Sequence, residues 1–206
     1  MAGLRRAARR QRAHLRTGRR VLITSLIAFG LLAAAVVGYM ESVARPAAGI
    51  VDRFELVDQD GRAVSDATYR GKWLLIYFGY THCPDACPTA LNDIAEALDG
   101  LGAKRPMIQP LFITVDPERD TPAVLKDYTA AFQAGIVGLS GSPDQIAQAA
   151  RNFRVSYERQ KGSDPDYAMA HSSVIYLMDP VGRFVAMFTH ETAPETIRDA
   201  LLRSVS

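Results

Sequence analysis

The sequence predicts an α/β fold, with a mixed sheet covered by helices on both faces, preceded by one N-terminal transmembrane helix. The run WLLIYFGY at Trp73–Tyr80 is nearly all apolar, which is typical of a strand buried on both faces. Strand-like and helix-like segments then alternate, and a terminal hairpin and helix follow them. Residues 21–40 form an uncharged segment of twenty residues, about the length that crosses a bilayer core of roughly 30 Å.

The N-terminal segment carries the charge pattern of a membrane anchor. Residues 1–20 contain eight arginines and no acidic residue, which predicts an Arg-rich cytoplasmic head. We therefore expect an anchor at 21–40, a linker at 41–51 and an exported domain at 52–206. This topology describes a single-pass protein of the inner (cytoplasmic) membrane, with its domain in the periplasm. A cleaved signal peptide is the alternative, although the apolar run is long for one.

The charge of the remaining chain argues against a nucleic-acid partner. The net charge is +2, but the head holds eight of the 24 basic residues and none of the 22 acidic ones. The predicted domain is therefore mildly acidic and has no basic surface pattern for nucleic acid. An apolar segment follows the arginines directly, which favours a role in membrane topology over RNA binding.

The first half of the predicted domain combines a hairpin with two strand–helix units. Its elements are a hairpin at Phe54–Val57 and Arg62–Val64, the strand Trp73–Tyr80, a helix from about Asp85 to Leu101, the strand Met107–Val115, and a helix from Thr121-Pro122 to about Gln133.

The second half ends in a hairpin and a helix. Its elements are a strand at Val137–Leu139, a helix from the capping box Ser142–Gln145 to about Asn152, a strand at 154–158, an exposed polar loop at 159–170, strands at Ser173–Met178 and Arg183–Phe188, and a helix from the capping box Thr192–Glu195 to about Leu202.

The only two cysteines lie in the segment FGYTHCPDACP, where the buried strand turns into a helix. At i and i+4 of a helix start, the Cys83 and Cys87 thiols share one side, and the helix dipole favours thiolates. Two thiolates chelate a soft cation, above all Cu(I), with Zn(II) as an alternative. The same pair can close to a disulfide. Cys83 and Cys87 are therefore predicted as both a redox-active pair and metal ligands.

A nitrogen ligand would help such a site to hold Cu(II), and the chain has four histidines. His14 precedes the membrane segment, and His190 lies in the turn before the last helix. His82 is next to Cys83 in sequence, so its side chain is expected to diverge from the cysteines. His171 immediately precedes a predicted strand whose start can lie beside the cysteine turn. A lone histidine is more often a surface or capping residue than a ligand, so from the residues alone the ligand role of His171 is weighted no higher than even.

The segment DPERDTP at 116–122 places two carboxylates and an arginine at the sheet edge where α/β sites lie. Asp116 and Asp120 could take part in chemistry, but the slightly favoured interpretation is that they organise the turn and the helix cap. Met178 is predicted to pack in the core, and Met169 is either a soft ligand or a packing residue.

Three segments in order, FGYTHCPDACP, VDPERDTP and AHSSVIYLMDPVG, resemble the Sco (SenC/PrrC) family over about residues 50–204. The resemblance implies a thioredoxin fold and a role in assembling the dinuclear copper centre of cytochrome c oxidase. It implies that Cys83, Cys87 and His171 bind copper, as Cu(I) and Cu(II), and that Asp120 shapes the site without binding the metal. The chain departs from the family at Ala170, where an aspartate often precedes the histidine.

Two principal functions follow from these predictions. The first is a metallochaperone that delivers copper to the copper-site subunit of cytochrome c oxidase, with other copper chaperones or thiol reductases as further partners. The alternative is an enzyme-like thiol–disulfide reductase of the exported space without a metal-delivery role. A third ligand discriminates between them, because a reductase has no use for His171. A peroxiredoxin and a disulfide-bearing interaction module are weaker alternatives.

Overall fold

The computed structural model describes residues 53–161 and 167–205. The strands are β1 (Glu55–Asp58), β2 (Ala63–Ser65), β3 (Trp73–Gly79), β4 (Ile108–Thr114), β5 (Val137–Ser140), β6 (Tyr157–Arg159), β7 (Met169–His171), β8 (Val174–Met178) and β9 (Phe184–Thr189). The α-helices are α1 (Ala86–Asp99), α2 (Pro122–Ala130), α3 (Pro143–Phe153) and α4 (Pro194–Ser204).

Seven strands form one mixed sheet in the order β2-β1-β5-β4-β3-β8-β9. Strands β3, β4 and β5 pair in parallel, while β1 and β8 add to this central part in the antiparallel direction. The predicted central strand is confirmed, because β3 lies between β4 and β8 and the side chains from Leu75 to Phe78 are 0% exposed. A shift of one residue in its register would move every one of these side chains to the wrong face.

Helices pack on both faces of this sheet, as predicted. Tyr77 and Phe78 are neighbours on β3 and point to opposite faces. The Phe78 ring packs against Phe153 of α3, with the ring centroids 5.4 Å apart. On the other face, Tyr77 stacks on Phe112, which in turn packs against Tyr128 of α2 at 5.5 Å. The architecture is the thioredoxin-like mixed α/β fold that the resemblance implies.

Two of the three predicted helix-start signals are confirmed. The Thr121 side chain accepts a hydrogen bond from the Val124 amide, and Ser142 and Gln145 form a capping box. The capping box predicted for the last helix is wrong. There the Thr192 hydroxyl accepts a hydrogen bond from the Thr189 amide at 3.0 Å, and Ala193 occupies the cap position of α4.

The region between α3 and β8 differs from its prediction. Helix α3 ends at Phe153, and Arg154 adopts a left-handed conformation with φ of 58°, which cannot begin a strand. The strand predicted at 154–158 is therefore displaced, and β6 starts only at Tyr157.

The predicted exposed loop at 159–170 is wrong at both ends. Strands β6 and β7 pair in the antiparallel direction, with Tyr157 opposite His171 and Arg159 opposite Met169. We call this pair of strands the β6–β7 hairpin; residues 162–166, which lie between the strands in sequence, are outside the described residues. His171 is thus the last residue of a strand.

Within residues 53–161 and 167–205, no helix has the length and apolar character needed to cross a membrane. The predicted head at 1–20, anchor at 21–40 and linker at 41–51 lie outside the described residues.

Candidate metal centre

The two cysteines lie on either side of the start of helix α1. Cys87 is in the first turn of the helix and is fully buried, whereas Cys83 precedes the cap residue Asp85 and is half-buried. Cys83 thus lies just before the helix, but its sulfur is on the same side as that of Cys87, as predicted. The Cys87 amide donates a hydrogen bond to the Cys83 sulfur at 3.4 Å, so this sulfur takes the place of a capping oxygen.

The fold brings Cys83, Cys87 and His171 together. Their two sulfurs and one imidazole nitrogen all lie within 4.8 Å of one another. The shortest approach to the histidine joins the Cys87 sulfur to His171 Nε2, at 3.5 Å. Two soft thiol sulfurs and one imidazole nitrogen are a donor set suited to copper or zinc.

The position of His171 follows from strand pairing. Strand β8 runs antiparallel to β3, with Ile175 opposite Tyr77, so the start of β8 lies beside the end of β3. The cysteine turn leaves from that end of β3. Because β7 leads into β8 through only two residues, His171 enters the sheet at the same edge.

Two aromatic rings and one carbonyl orient the His171 imidazole. The rings of Tyr77 and Tyr80 meet it edge-on, at centroid distances of 6.2 and 5.8 Å. The Nδ1 atom lies 3.3 Å from the Ser172 carbonyl oxygen, which can only accept a hydrogen bond. In a metal-bound form, a proton on Nδ1 would satisfy this carbonyl and leave the Nε2 lone pair for the ion.

The two thiols differ strongly in acidity. The hydrogen bond from the Cys87 thiol lowers the pKa of Cys83 to about 4, with further help from backbone amides and His171, although partial burial opposes this shift. The same hydrogen bond, together with burial, raises the pKa of Cys87 well above its usual range. The pair therefore combines an accessible thiolate with a buried, protonated thiol that donates to it.

Gly79, the last residue of β3, makes room for the buried sulfur. A Cβ atom at this position would lie 2.6 Å from the Cys87 sulfur and 2.8 Å from the Phe112 ring. Any side chain there would displace one of these groups. Gly79 was not singled out from the sequence, although a glycine at the end of an apolar strand commonly marks a close approach of other atoms to the backbone.

Asp120 is fully buried and supports the cysteine turn. Its carboxylate accepts hydrogen bonds from the Thr81 amide at 3.0 Å, and from the Thr81 and Thr114 hydroxyls at 2.6 Å each. Burial raises the pKa of this carboxyl group. The helix cap is Thr121, so Asp120 orders the cysteine turn through Thr81 rather than capping α2.

Asp116 is buried as well, but it contacts the part of the chain that leads into β7 and His171. Its carboxylate accepts hydrogen bonds from Arg119 and from the Tyr167 hydroxyl. Tyr167 was missed in the sequence because the polar residues around it indicate an exposed loop, whereas the residue is only 7% exposed.

The other candidate residues lie outside the three-residue cluster. His82 is exposed and its Nδ1 contacts the Thr81 hydroxyl at 3.1 Å, so its side chain diverges from the cysteines as expected. His14 lies outside the described residues, and the His190 amide donates to the Ser173 carbonyl. Met178 is buried in the core, as predicted, and Met169 is buried in β7.

Ala170, the position at which the chain departs from the family, is exposed in the middle of β7. Successive side chains of a strand point to opposite sides, so residue 170 faces away from the side that His171 occupies. A carboxylate at this position would therefore not point in the same direction as the imidazole.

The thiol arrangement predicts a titration in the reduced, metal-free chain. The rate of alkylation of Cys83 should fall as the pH drops through about 4, because only the thiolate reacts and the Cys83 pKa is lowered to about 4. Replacing Cys87 with alanine should raise this midpoint, since the largest stabilising hydrogen bond is lost. The denatured chain, titrating near the usual thiol value of about 8.5, is the control. The same midpoint in the folded and denatured chains would contradict the arrangement.

Comparisons with known proteins show which sequences this chain resembles. The family model described as SCO1/SenC matches residues 42–206. The chain is similar to the mitochondrial protein SCO2 homolog of Bos taurus, with 43% identity over 169 residues, 81% of this chain and 63% of the relative. It is also 42% identical over 150 residues to a SCO2-like protein of Rickettsia felis, which covers 72% of this chain and 73% of that relative. The match thus spans less than two thirds of the bovine protein.

Solved structures extend the likeness to three dimensions. A structure of Bradyrhizobium japonicum ScoI with copper bound is 46% identical, has a TM-score of 0.69, and covers 75% of this chain and 98% of its own. BsSco, described as a member of the Sco family of cytochrome c oxidase assembly proteins with a disulfide switch, is 25% identical at a TM-score of 0.61, over 78% of this chain and 95% of its own. The chain belongs to the SCO1/SenC family.

Proposed function

We propose that this protein binds copper through Cys83, Cys87 and His171 and delivers it to the dinuclear copper site of cytochrome c oxidase during assembly. The observation that carries this proposal is the cluster of two sulfurs and one imidazole nitrogen within 4.8 Å. The copper in the B. japonicum structure and the description of BsSco as an oxidase assembly protein support it.

The spacing of the donor atoms fits a single ion. Cysteine and histidine ligands hold a metal such as zinc at about 2.0–2.3 Å, so two ligands of one ion are at most about 4.6 Å apart. The Cys87 sulfur and His171 Nε2 are already within this limit at 3.5 Å. The remaining separations, up to 4.8 Å, need only small side-chain adjustments.

The donor set suits both oxidation states of copper. Thiolates are preferred ligands of Cu(I), and imidazole also suits Cu(II). Cys83 already carries a thiolate at neutral pH, but burial and its hydrogen bond to Cys83 keep Cys87 protonated. Copper binding therefore releases the Cys87 proton, so the affinity for copper should rise with pH.

A thiol–disulfide reductase is the second candidate function, favoured by the unequal acidity of the two thiols. The accessible Cys83 thiolate can attack a disulfide of the target, and Cys87 can then resolve the mixed disulfide. Reduction of the cysteines of the oxidase copper site would prepare them to accept the metal. The two functions thus act on the same partner. His171 distinguishes them, because copper binding needs its nitrogen as a ligand, whereas thiol exchange needs only the two sulfurs and gains a minor contribution from His171 to the Cys83 thiolate.

We also propose that the protein is attached to the membrane by its N-terminal segment. An anchor at residues 21–40, with the head at 1–20 in the cytoplasm, would hold the domain at 52–206 in the periplasm through the linker at 41–51. This location would bring the domain close to an oxidase subunit in the same membrane. Other copper chaperones or thiol reductases would supply its copper or its electrons.

Variants of the three proposed ligands test copper binding directly. Cys83→Ser and Cys87→Ser should weaken the binding of both Cu(I) and Cu(II), because each removes a sulfur ligand. His171→Ala should weaken Cu(II) binding most and diminish the thiolate-to-Cu(II) charge-transfer absorption. Copper stoichiometry and this absorption are measured in the full chain, with His82→Ala as the matched histidine control. Unchanged copper binding in His171→Ala would contradict the three-ligand site.

His171→Ala also separates copper delivery from thiol reduction. Delivery predicts that His171→Ala loses oxidase assembly while its thiol–disulfide activity remains. Normal oxidase assembly in that variant would instead favour reduction as the main role.

Gly79→Ala tests the space that the Cys87 sulfur requires. The added methyl group should push this sulfur away from His171 and weaken copper binding roughly tenfold or more, as changes next to metal ligands do. Gly100→Ala is the matched control, because its Cβ would meet only the flexible Arg198 side chain. Copper affinity equal to that of wild type in a folded Gly79→Ala chain is the contrary result.

A further inference from the structure

The ring of Tyr167 is held between two arginines. The guanidinium carbon of Arg119 lies 3.6 Å from the ring centroid, and that of Arg159 lies 3.7 Å from it. Two guanidinium groups at these distances would overlap on a single face, so one covers each face of the ring. Cation–π contacts of this kind are stronger when they are shielded from water, and the Tyr167 residue is 7% exposed.

Hydrogen bonds close the same cluster through Asp116. The Tyr167 hydroxyl donates to one oxygen of its carboxylate at 2.7 Å, and Arg119 donates to the other. Arg119 also donates to the Tyr167 carbonyl oxygen at 2.9 Å. The side chains of Asp116 and Arg119 are only 4% and 13% exposed, so this charge pair is largely shielded from solvent.

The cluster connects two separate parts of the fold. Asp116 and Arg119 lie between β4 and α2, against the main sheet, whereas Arg159 is in β6 and Tyr167 lies two residues before the start of β7. It therefore fastens the β6–β7 hairpin, which carries His171, to the body of the domain.

The hairpin depends on such a fastening. Each of its strands has three residues, and an isolated two-stranded hairpin is at best marginally stable in water. A partly open pocket of about 160 Å³, lined by residues that include Val115, Tyr157 and Met169, lies between the hairpin and the segment that follows β4. The hairpin and this segment therefore do not pack directly against each other there, and the Arg119–Tyr167 contacts join them beside the pocket.

Arg119 is also linked to His171 through the Tyr80 ring. Its guanidinium carbon lies 5.8 Å from the centroid of the Tyr80 ring, and that ring meets the His171 imidazole edge-on. Arg119 therefore contacts both the Tyr80 ring, which packs on His171, and Tyr167, which lies two residues before the strand of His171.

We propose that Asp116, Arg119, Arg159 and Tyr167 form a clamp that positions His171 against Cys87 and so sets the affinity for Cu(II) relative to Cu(I). These four are positioning residues, because they act on copper only through the histidine. The inference rests on the proposed copper-binding function. Cu(I) can be held by the two thiolates, whereas Cu(II) gains more from the nitrogen ligand, so loss of the clamp should affect Cu(II) selectively.

Tyr167→Leu, His171→Ala and the double variant test the clamp in the full chain. Tyr167→Leu should weaken Cu(II) binding roughly 10- to 100-fold, the range for residues that orient a ligand, and Cu(I) binding much less. In the His171→Ala background the same change should cause no further loss of Cu(II) affinity, because the clamp acts through that histidine. Equal losses for Cu(I) and Cu(II), or additive losses in the double variant, would overturn the clamp.

Two further variants and a metal-free measurement complete this test. Tyr167→Phe keeps the ring between the arginines and should retain most of the Cu(II) affinity. Tyr69→Leu, a tyrosine that packs on Phe54 away from the hairpin, should leave the ratio of the two affinities unchanged. Without copper, Tyr167→Leu should speed amide hydrogen exchange in β7, and unchanged exchange there would contradict the clamp.

The outcomes also separate the clamp from the function on which it rests. Wild-type Cu(II) binding in Tyr167→Leu, together with weakened binding in His171→Ala, overturns the clamp alone. Wild-type Cu(II) binding in His171→Ala overturns both the proposed ligand set and the clamp.

Discussion

The antiparallel pairing of β8 with β3 is the constraint on which the site depends. It brings the end of one strand, from which the cysteine turn leaves, beside the start of the other, into which the histidine hairpin leads. The side chains from Leu75 to Phe78 are fully buried, so the register cannot slip without moving them to the wrong face. Cys87 and His171, 84 residues apart in sequence, are therefore held 3.5 Å apart by the core of the fold.

The short segment that follows β4, the strand beside β3, supports both parts of the site: the cysteine turn and the β6–β7 hairpin. Asp120 accepts three hydrogen bonds from two threonines and orders the turn that carries Cys83. Asp116, four residues earlier, binds Arg119 and Tyr167 and contacts the hairpin that carries His171. The two carboxylates therefore have different tasks, and burial makes the hydrogen bonds of each stronger than they would be in water.

The sequence was most informative where local rules decide the structure. The apolar run of β3, the first threonine and serine caps and the cysteine pair were predicted because each depends on residues close in sequence, although the same local rule failed at the start of α4. The approach of His171 to the cysteines depends on strand register, so the predicted strand order only allowed it and the resemblance to a family favoured it. Arg154 was missed because it takes the left-handed conformation that usually falls to glycine at a helix end, and its amide bonds to carbonyls of the last turn of α3. The buried Tyr167 was missed because Asp116 and Arg119, which contact it, are distant in sequence.

X-ray absorption at the copper edge reports directly whether one copper ion is bound by two sulfurs and one nitrogen. In the copper-loaded full chain, we expect scattering from two sulfurs and one imidazole nitrogen. His171→Ala should lose the imidazole contribution and retain both sulfurs. A wild-type spectrum without imidazole scattering, or a His171→Ala spectrum that keeps it, would rule out the proposed three-ligand site.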